Sequence, residues 1–160
     1  MPRKLVHLLL AFSFIGYLIA GFYLVRENFP LLISLYSGLF VIYFLLLHFK
    51  SQISLRTGIL AAVAFRFCLL LSLPALSDDV FRFLWDGRLQ QLGINPFDFT
   101  PSQIIGQNTD RFLGELYPHL NSPDYYSVYP QLLQYLFHLA TELGGQNVLA
   151  GTVVLKTVIL

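Results

Sequence analysis

Three apolar runs follow one another in the first half of the chain: Leu5 to Val25, Phe29 to Phe49 and Thr57 to Leu76, of 21, 21 and 20 residues. At a helical rise of about 1.5 Å per residue, each is long enough to cross a hydrocarbon layer of about 30 Å. Arg66 is the one formal charge inside them, and Pro30 falls in a first helical turn, where the missing N–H removes no helical bond. The pattern predicts three membrane spans. The first exceeds the roughly 7 to 15 residues of a signal-peptide core and no convincing small-residue cleavage site follows it, so it reads as a retained span.

After Leu76 the pattern changes. Ser77 to Ser127 is polar and holds seven of the nine acidic residues. Val128 to Leu143 is apolar again, with Gln131, Gln134, His138 and Thr141 at spacings of 3, 4 and 3 that place them on one helix face. A polar stripe on a membrane helix faces the bundle interior or a wet cavity, because lipid offers it no partner. Gly144-Gly145-Gln146-Asn147 marks a turn, and the 13-residue run from Val148 to Leu160 reads as an interrupted span, which suggests the N-terminal part of a longer protein. The expected fold is all-α: a polytopic transmembrane helical bundle forming a single domain over 1–160, with an external loop, 77–127, containing short amphipathic helices.

Charge sets the expected orientation. Arg3, Lys4, Lys50 and Arg56 flank one set of span ends, against Arg26 beside Glu27 on the other, which puts the N-terminus inside and Ser77 to Ser127 outside. With 56% hydrophobic and 12% charged residues and a net charge of +1, the chain has no field to attract nucleic acid, which is excluded as a partner. The lone Cys68 lies in an apolar run, so no internal disulfide framework or thiol metal cluster is available. His7, His48, His119 and His138 lack metal-ligand spacing.

The candidate chemistry lies just beyond the third span. Ser77 is placed to cap a helix whose first turn carries Asp78 and Asp79, favoured there by the helix dipole. That is a sufficient structural reason for the acids; the functional reading is that two carboxylates emerging from a membrane span are there to be used. In a helix from Asp78 to about Leu92, Asp79, Arg82 and Asp86 share one face at i, i+3 and i+7, while Phe81, Leu84, Leu89 and Leu92 pack on another. The ladder is either a set of surface pairs worth a few tenths of a kcal/mol each or a wall that orients Asp79 and offers Arg82 or Arg88 to a phosphate. Gly93 ends the helix and Ile94-Asn95-Pro96 turns the chain. Two adjacent carboxylates, Asp78 and Asp79, can contribute to a divalent cation but supply too few ligands to predict one. No cofactor follows from the sequence.

Ser77-Asp78-Asp79, Arg82, Trp85-Asp86-Gly87-Arg88 and Gly93-Ile94-Asn95-Pro96-Phe97 in this order resemble the first external loop of GT-C membrane glycosyltransferases, in particular bacterial polyprenyl-phosphate-mannose-dependent mannosyltransferases. Leu116-Tyr117-Pro118, Asn121-Ser122-Pro123 and Tyr129-Pro130 resemble the segment that re-enters the membrane in the same family. The resemblance implies transfer of a hexose from a polyprenyl-phosphate donor to a hydroxyl of a glycan or lipid acceptor, at the outer face of a bacterial inner membrane. It implies Asp78 or Asp79 as general base, Arg82 or Arg88 at the donor phosphate, and Asp86, Trp85, Asn95 and Tyr129 as further substrate contacts. Trp85 serves equally to bury the helix against its neighbours. Tyr117, Tyr125, Tyr126, Tyr129 and Tyr135 suit a bilayer interface as well as a sugar. Arg66, expensive in lipid, is either a phosphate or carboxylate partner or half of a structural pair. The competing expectation is a non-catalytic polytopic membrane protein, such as a transporter subunit or assembly factor, or an inactive fragment.

Overall fold

A computed structural model describes residues 3–107 and 109–159, and among these every regular element is helical. Contacts cluster into two compact units that meet in sequence at Leu76 and Ser77, where the run of apolar segments predicts one domain.

The first unit contains α1 (Arg3–Phe22), α2 (Phe29–His48) and α3 (Leu55–Leu70). Asn28 starts α2 by accepting the Leu31 N–H, and Ser54 starts α3 by accepting the Thr57 N–H at 3.1 Å. Helix α1 packs on both α2 and α3, with the Tyr17 ring stacked on Phe65 at 5.0 Å. Two segments, Lys4–Phe22 and Phe29–His48, are long and apolar enough to cross a membrane, and no residue of α2 is buried within the chain. The third expected span, 57–76, is shorter than its apolar run. Helix α3 has 16 residues and stops at Leu70, because Pro74 disfavours helical backbone at Leu73 and the Ser72 hydroxyl turns back to the Leu69 carbonyl at 2.8 Å. Arg66 is exposed on α3 and reaches the carbonyl of Ala62, one turn back on its own helix.

The second unit is built around α4 (Asp79–Gln91), with α5 (Pro101–Ile105), α6 (Arg111–Leu116), α7 (Gln131–Gly144) and α8 (Val148–Ile159). Helix α4 ends as its sequence predicts, with Leu92 capping and Gly93 in the left-handed region at φ 74°. Its apolar side, Val80, Leu84, Trp85 and Leu89, packs with Ile104, Phe112, Leu113, Leu116 and Ala140 into one core. Helices α7 and α8 form a hairpin turned at Gly145, φ 60°. They contain 14 and 12 residues, less than a straight crossing requires; Leu160, the last residue of the run expected as a fifth span, lies outside the described residues.

Helix α7 is amphipathic in an inverted sense. Gln134 and Thr141 are buried beside Phe137 and Ala140, whereas Leu132, Tyr135 and Leu143 are each about 70% exposed. The expected polar stripe therefore divides: Gln134 and Thr141 face inward, His138 is half-buried and Gln131 exposed.

Gly87 lies where α4 and α7 cross. A Cβ there would stand 2.1 Å from the Phe137 carbonyl oxygen and 2.9 Å from Thr141 Oγ1. Backbone cannot move aside as a side-chain tip can, so Gly87→Ala must separate two helices. We expect it to destabilise the fold by about 3 kcal/mol, at the upper end for overpacking. A thermal midpoint in detergent within a degree or two of the wild type would contradict so close a crossing.

Candidate functional site

Helix α4 begins one residue later than the sequence suggests. Asp78 is the N-cap residue and Asp79 the first helical residue, while Ser77, expected as the cap, sits one position earlier and accepts the Asp79 N–H at 3.2 Å. From Asp79 a polar ridge climbs the helix through Arg82, Asp86 and Gln90, at steps of 3, 4 and 4.

Each member of the ridge meets a group about forty or more residues away. Asp79 Oδ1 accepts from Asn121 Nδ2 at 3.1 Å, and among the described residues its Oδ2 carries no protein hydrogen bond. Arg82 donates from Nε to Asp86 Oδ1 at 2.9 Å and from Nη1 to the carbonyls of Ser122 and Tyr125, at 3.2 and 3.0 Å. Asp86 Oδ2 accepts from the Ser127 hydroxyl and from Gln134 Nε2, which lies 2.9 Å away. Gln90 Nε2 completes the series by donating to the carbonyl and the side-chain oxygen of Gln134, each at 3.0 Å.

The Arg82–Asp86 pair is 3% and 0% exposed, which overturns its reading as a surface pair worth a few tenths of a kcal/mol. Burial removes water from both charges, so their partners have to come from the protein. All the acceptor capacity that Asp86 uses here is matched by three donors.

The other sequence candidates lie off this ridge or at its margin. Trp85 is 0% exposed, packed beside Tyr117 with ring centroids 5.9 Å apart, so it fills the core and presents no face to a sugar. Arg88 donates from Nε and Nη2 to Asp110 Oδ2 and from Nη1 to Gln91, tying α4 to the start of α6. Asn95 is exposed and organises its own turn, accepting the Phe97 N–H and donating to Asp98 at 2.9 Å. Tyr129 is half-buried, its ring edge-on to Phe83 at 5.0 Å and to Phe137 at 5.4 Å, within the electrostatic reach of Asp79, Arg82 and Asp86. Asp78 stands beside Asp79 at the helix entrance, half-buried. Among the described residues no three His, Cys, Asp or Glu side chains converge on a cation.

Asn121, Ser127 and Asp110 are the residues that sequence reasoning leaves without a role. Asp110 has a local signal, since an Asp preceding Arg111-Phe112-Leu113 is a helix cap, and its Oδ1 accepts the Leu113 N–H at 3.0 Å. Asn121 stands in the Asn121-Ser122-Pro123 run that contributes to the resemblance but carries no assigned role there, and nothing local distinguishes Ser127.

The Arg88 guanidinium holds the Asp110 carboxyl below the usual carboxylate range, with help from the Leu113 N–H and against partial burial. A carboxyl depressed in the folded state adds stability that is complete above its unfolded value of about 3.9 and is lost as pH falls through the lower folded value. Wild-type protein should therefore lose more of its thermal midpoint between neutral pH and about pH 3 than Arg88→Met protein does. Parallel pH profiles for the two would contradict the ion pair.

No family model, curated protein or solved structure matches this chain.

Proposed function

We propose that this chain belongs to a multi-pass membrane glycosyltransferase of the GT-C type that transfers a hexose from a polyprenyl-phosphate donor to an acceptor hydroxyl of a glycan or lipid. The site lies at the outer face of a bacterial inner membrane, with the N-terminus cytoplasmic. One observation carries the reading: Asp79 stands at the entrance of α4 with Oδ1 held by Asn121 and, among the described residues, no hydrogen bond on Oδ2. A carboxylate fixed through one oxygen presents the other to a proton in a defined direction. Asp79 thereby becomes the preferred base of the two acids. It takes the proton from the acceptor hydroxyl as that oxygen bonds to the anomeric carbon, and the anomeric C–O bond breaks to release polyprenyl phosphate. The inverted sidedness of α7, leucines out and glutamine in, supports a membrane setting for the second unit.

A second reading rests on the same ridge. Because Arg82 and Asp86 are buried and bonded to each other and to Ser122, Tyr125, Ser127 and Gln134, they serve a non-catalytic membrane protein equally well as a structural staple. Membranes containing the overproduced protein, supplied with radiolabelled polyprenyl-phosphate mannose and glucose and an endogenous acceptor extract, separate the two. The glycosyltransferase reading expects label in acceptor that depends on the protein, and protein-independent label alone from both donors would leave the staple.

A further inference from the structure

The ridge on α4 and the segment from Asn121 to Ser127 run side by side, so that Asp79 meets Asn121, Arg82 meets Ser122 and Tyr125, and Asp86 meets Ser127. Asn121 lies at the start of this segment and has no regular secondary structure to hold it. Its amide is fixed from two directions. Ser122 Oγ donates to Asn121 Oδ1 at 2.9 Å, which leaves Nδ2 directed at Asp79, and the Arg82 guanidinium grips the carbonyls of Ser122 and Tyr125 on either side of a turn closed by the Tyr125 N–H to Ser122 carbonyl bond.

We propose that Asn121 fixes the Asp79 carboxylate and that Arg82 and Asp86 are positioning residues, a buried ion pair that holds the 121–125 loop where Asn121 can do so. This inference deepens the glycosyltransferase reading and rests on it for the chemical purpose of Asp79. Arg82 is removed from the donor phosphate: with Nε on Asp86, Nη1 on two carbonyls and the residue only 3% exposed, it has almost no surface to offer one. Asp86 in turn sets the direction of Arg82, since its second oxygen is pinned by Ser127 and Gln134 and the carboxylate cannot rotate freely. A lone surface arginine gives a loop no such definition, because its long side chain has many rotamers to lose; a buried pair held by several hydrogen bonds on both partners has few arrangements open to it.

The test reads the Asp79 carboxylate directly. Intact protein in membranes is treated with a water-soluble carbodiimide and a small amine, and the modification rates of Asp79 and of the exposed Asp98 are followed by peptide mass spectrometry. Removing the donor in Asn121→Ala should speed modification of Asp79 several-fold with Asp98 unchanged. Arg82→Lys and Asp86→Asn should do the same, and the Arg82→Lys/Asn121→Ala double variant should be no faster than Asn121→Ala alone. Ser127→Ala, which removes one of three donors to Asp86, gives a smaller change in the same direction and serves if the charge variants fail to fold, a failure recognised by faster modification of Asp98. Asp79 reacting at the wild-type rate in Arg82→Lys or Ser127→Ala, or effects that multiply in the double variant, would overturn the coupling. In transfer assays Arg82→Lys should lower kcat with the donor KM unchanged; a rise in donor KM at constant kcat would place Arg82 on the phosphate instead. If wild-type membranes transfer no sugar, the enzymatic reading falls while the modification rates still decide the positioning.

Discussion

Asp79→Asn should lower sugar transfer by about 10²- to 10⁴-fold, equivalent to about 2.7–5.4 kcal/mol of lost transition-state stabilisation, with donor binding and thermal midpoint near those of the wild type. The substitution keeps the shape of the side chain and an oxygen able to accept from Asn121, so the contact at 3.1 Å survives while the basic oxygen is lost. Asp78→Asn should be the milder change, since Asp78 is the N-cap residue and Asp79 is the proposed base. Transfer measured in membranes for both variants checks the assignment: retained transfer in Asp79→Asn with loss in Asp78→Asn would move the base to Asp78.

A second large effect is expected from Asp86→Ala, which leaves the Arg82 guanidinium charged and 3% exposed with its ionic partner removed. Breaking a buried pair from one side costs about 3–5 kcal/mol, because the remaining charge keeps its desolvation without its compensation. Ser127 and Gln134 lose their shared acceptor at the same time. Replacing the pair by Arg82→Met and Asp86→Leu together should recover part of that loss but not all, since the Ser122 and Tyr125 carbonyls would then lack the donor Arg82 supplies. Arg111→Ala is the internal control. It breaks the Arg111–Glu115 pair, with the same i, i+4 spacing but side chains 85% and 50% exposed, and after solvent screening should change stability by less than about 0.5 kcal/mol. Unfolding of the three variants in detergent checks the ranking, and equal losses for Asp86→Ala and Arg111→Ala would mean that burial does not set the difference.

Those two pairs mark how far the sequence could be read. Arg82-x-x-x-Asp86 and Arg111-x-x-x-Glu115 are indistinguishable by spacing and charge, and a helix-surface reading suits both. What separates them is the arrival of Ser127 and Gln134 over one and of water over the other. Trp85 gives a similar lesson: its chemistry permits stacking on a sugar, but the packing of α4 on its neighbours encloses it. Gly87 enters the sequence reading only as a member of Trp85-Asp86-Gly87-Arg88, and the crossing of α7 gives it a purpose. For α3, local chemistry was sufficient but outweighed by the apolar count: Pro74 and Ser72 end the helix at Leu70 although hydrophobic residues continue to Leu76.

The sequence by itself determined the helical class, the two long apolar helices α1 and α2, the extent of α4 and its polar ridge, because periodicity, caps and helix-ending glycines act within a few residues of one another. Only the tertiary structure decided that Asp79 is held by Asn121, that Arg82 and Asp86 are buried, and that Arg88 belongs to Asp110. These contacts join positions 22 to 48 residues apart, and whether a charge meets water, a carbonyl or another charge is set by which chain segment packs over it.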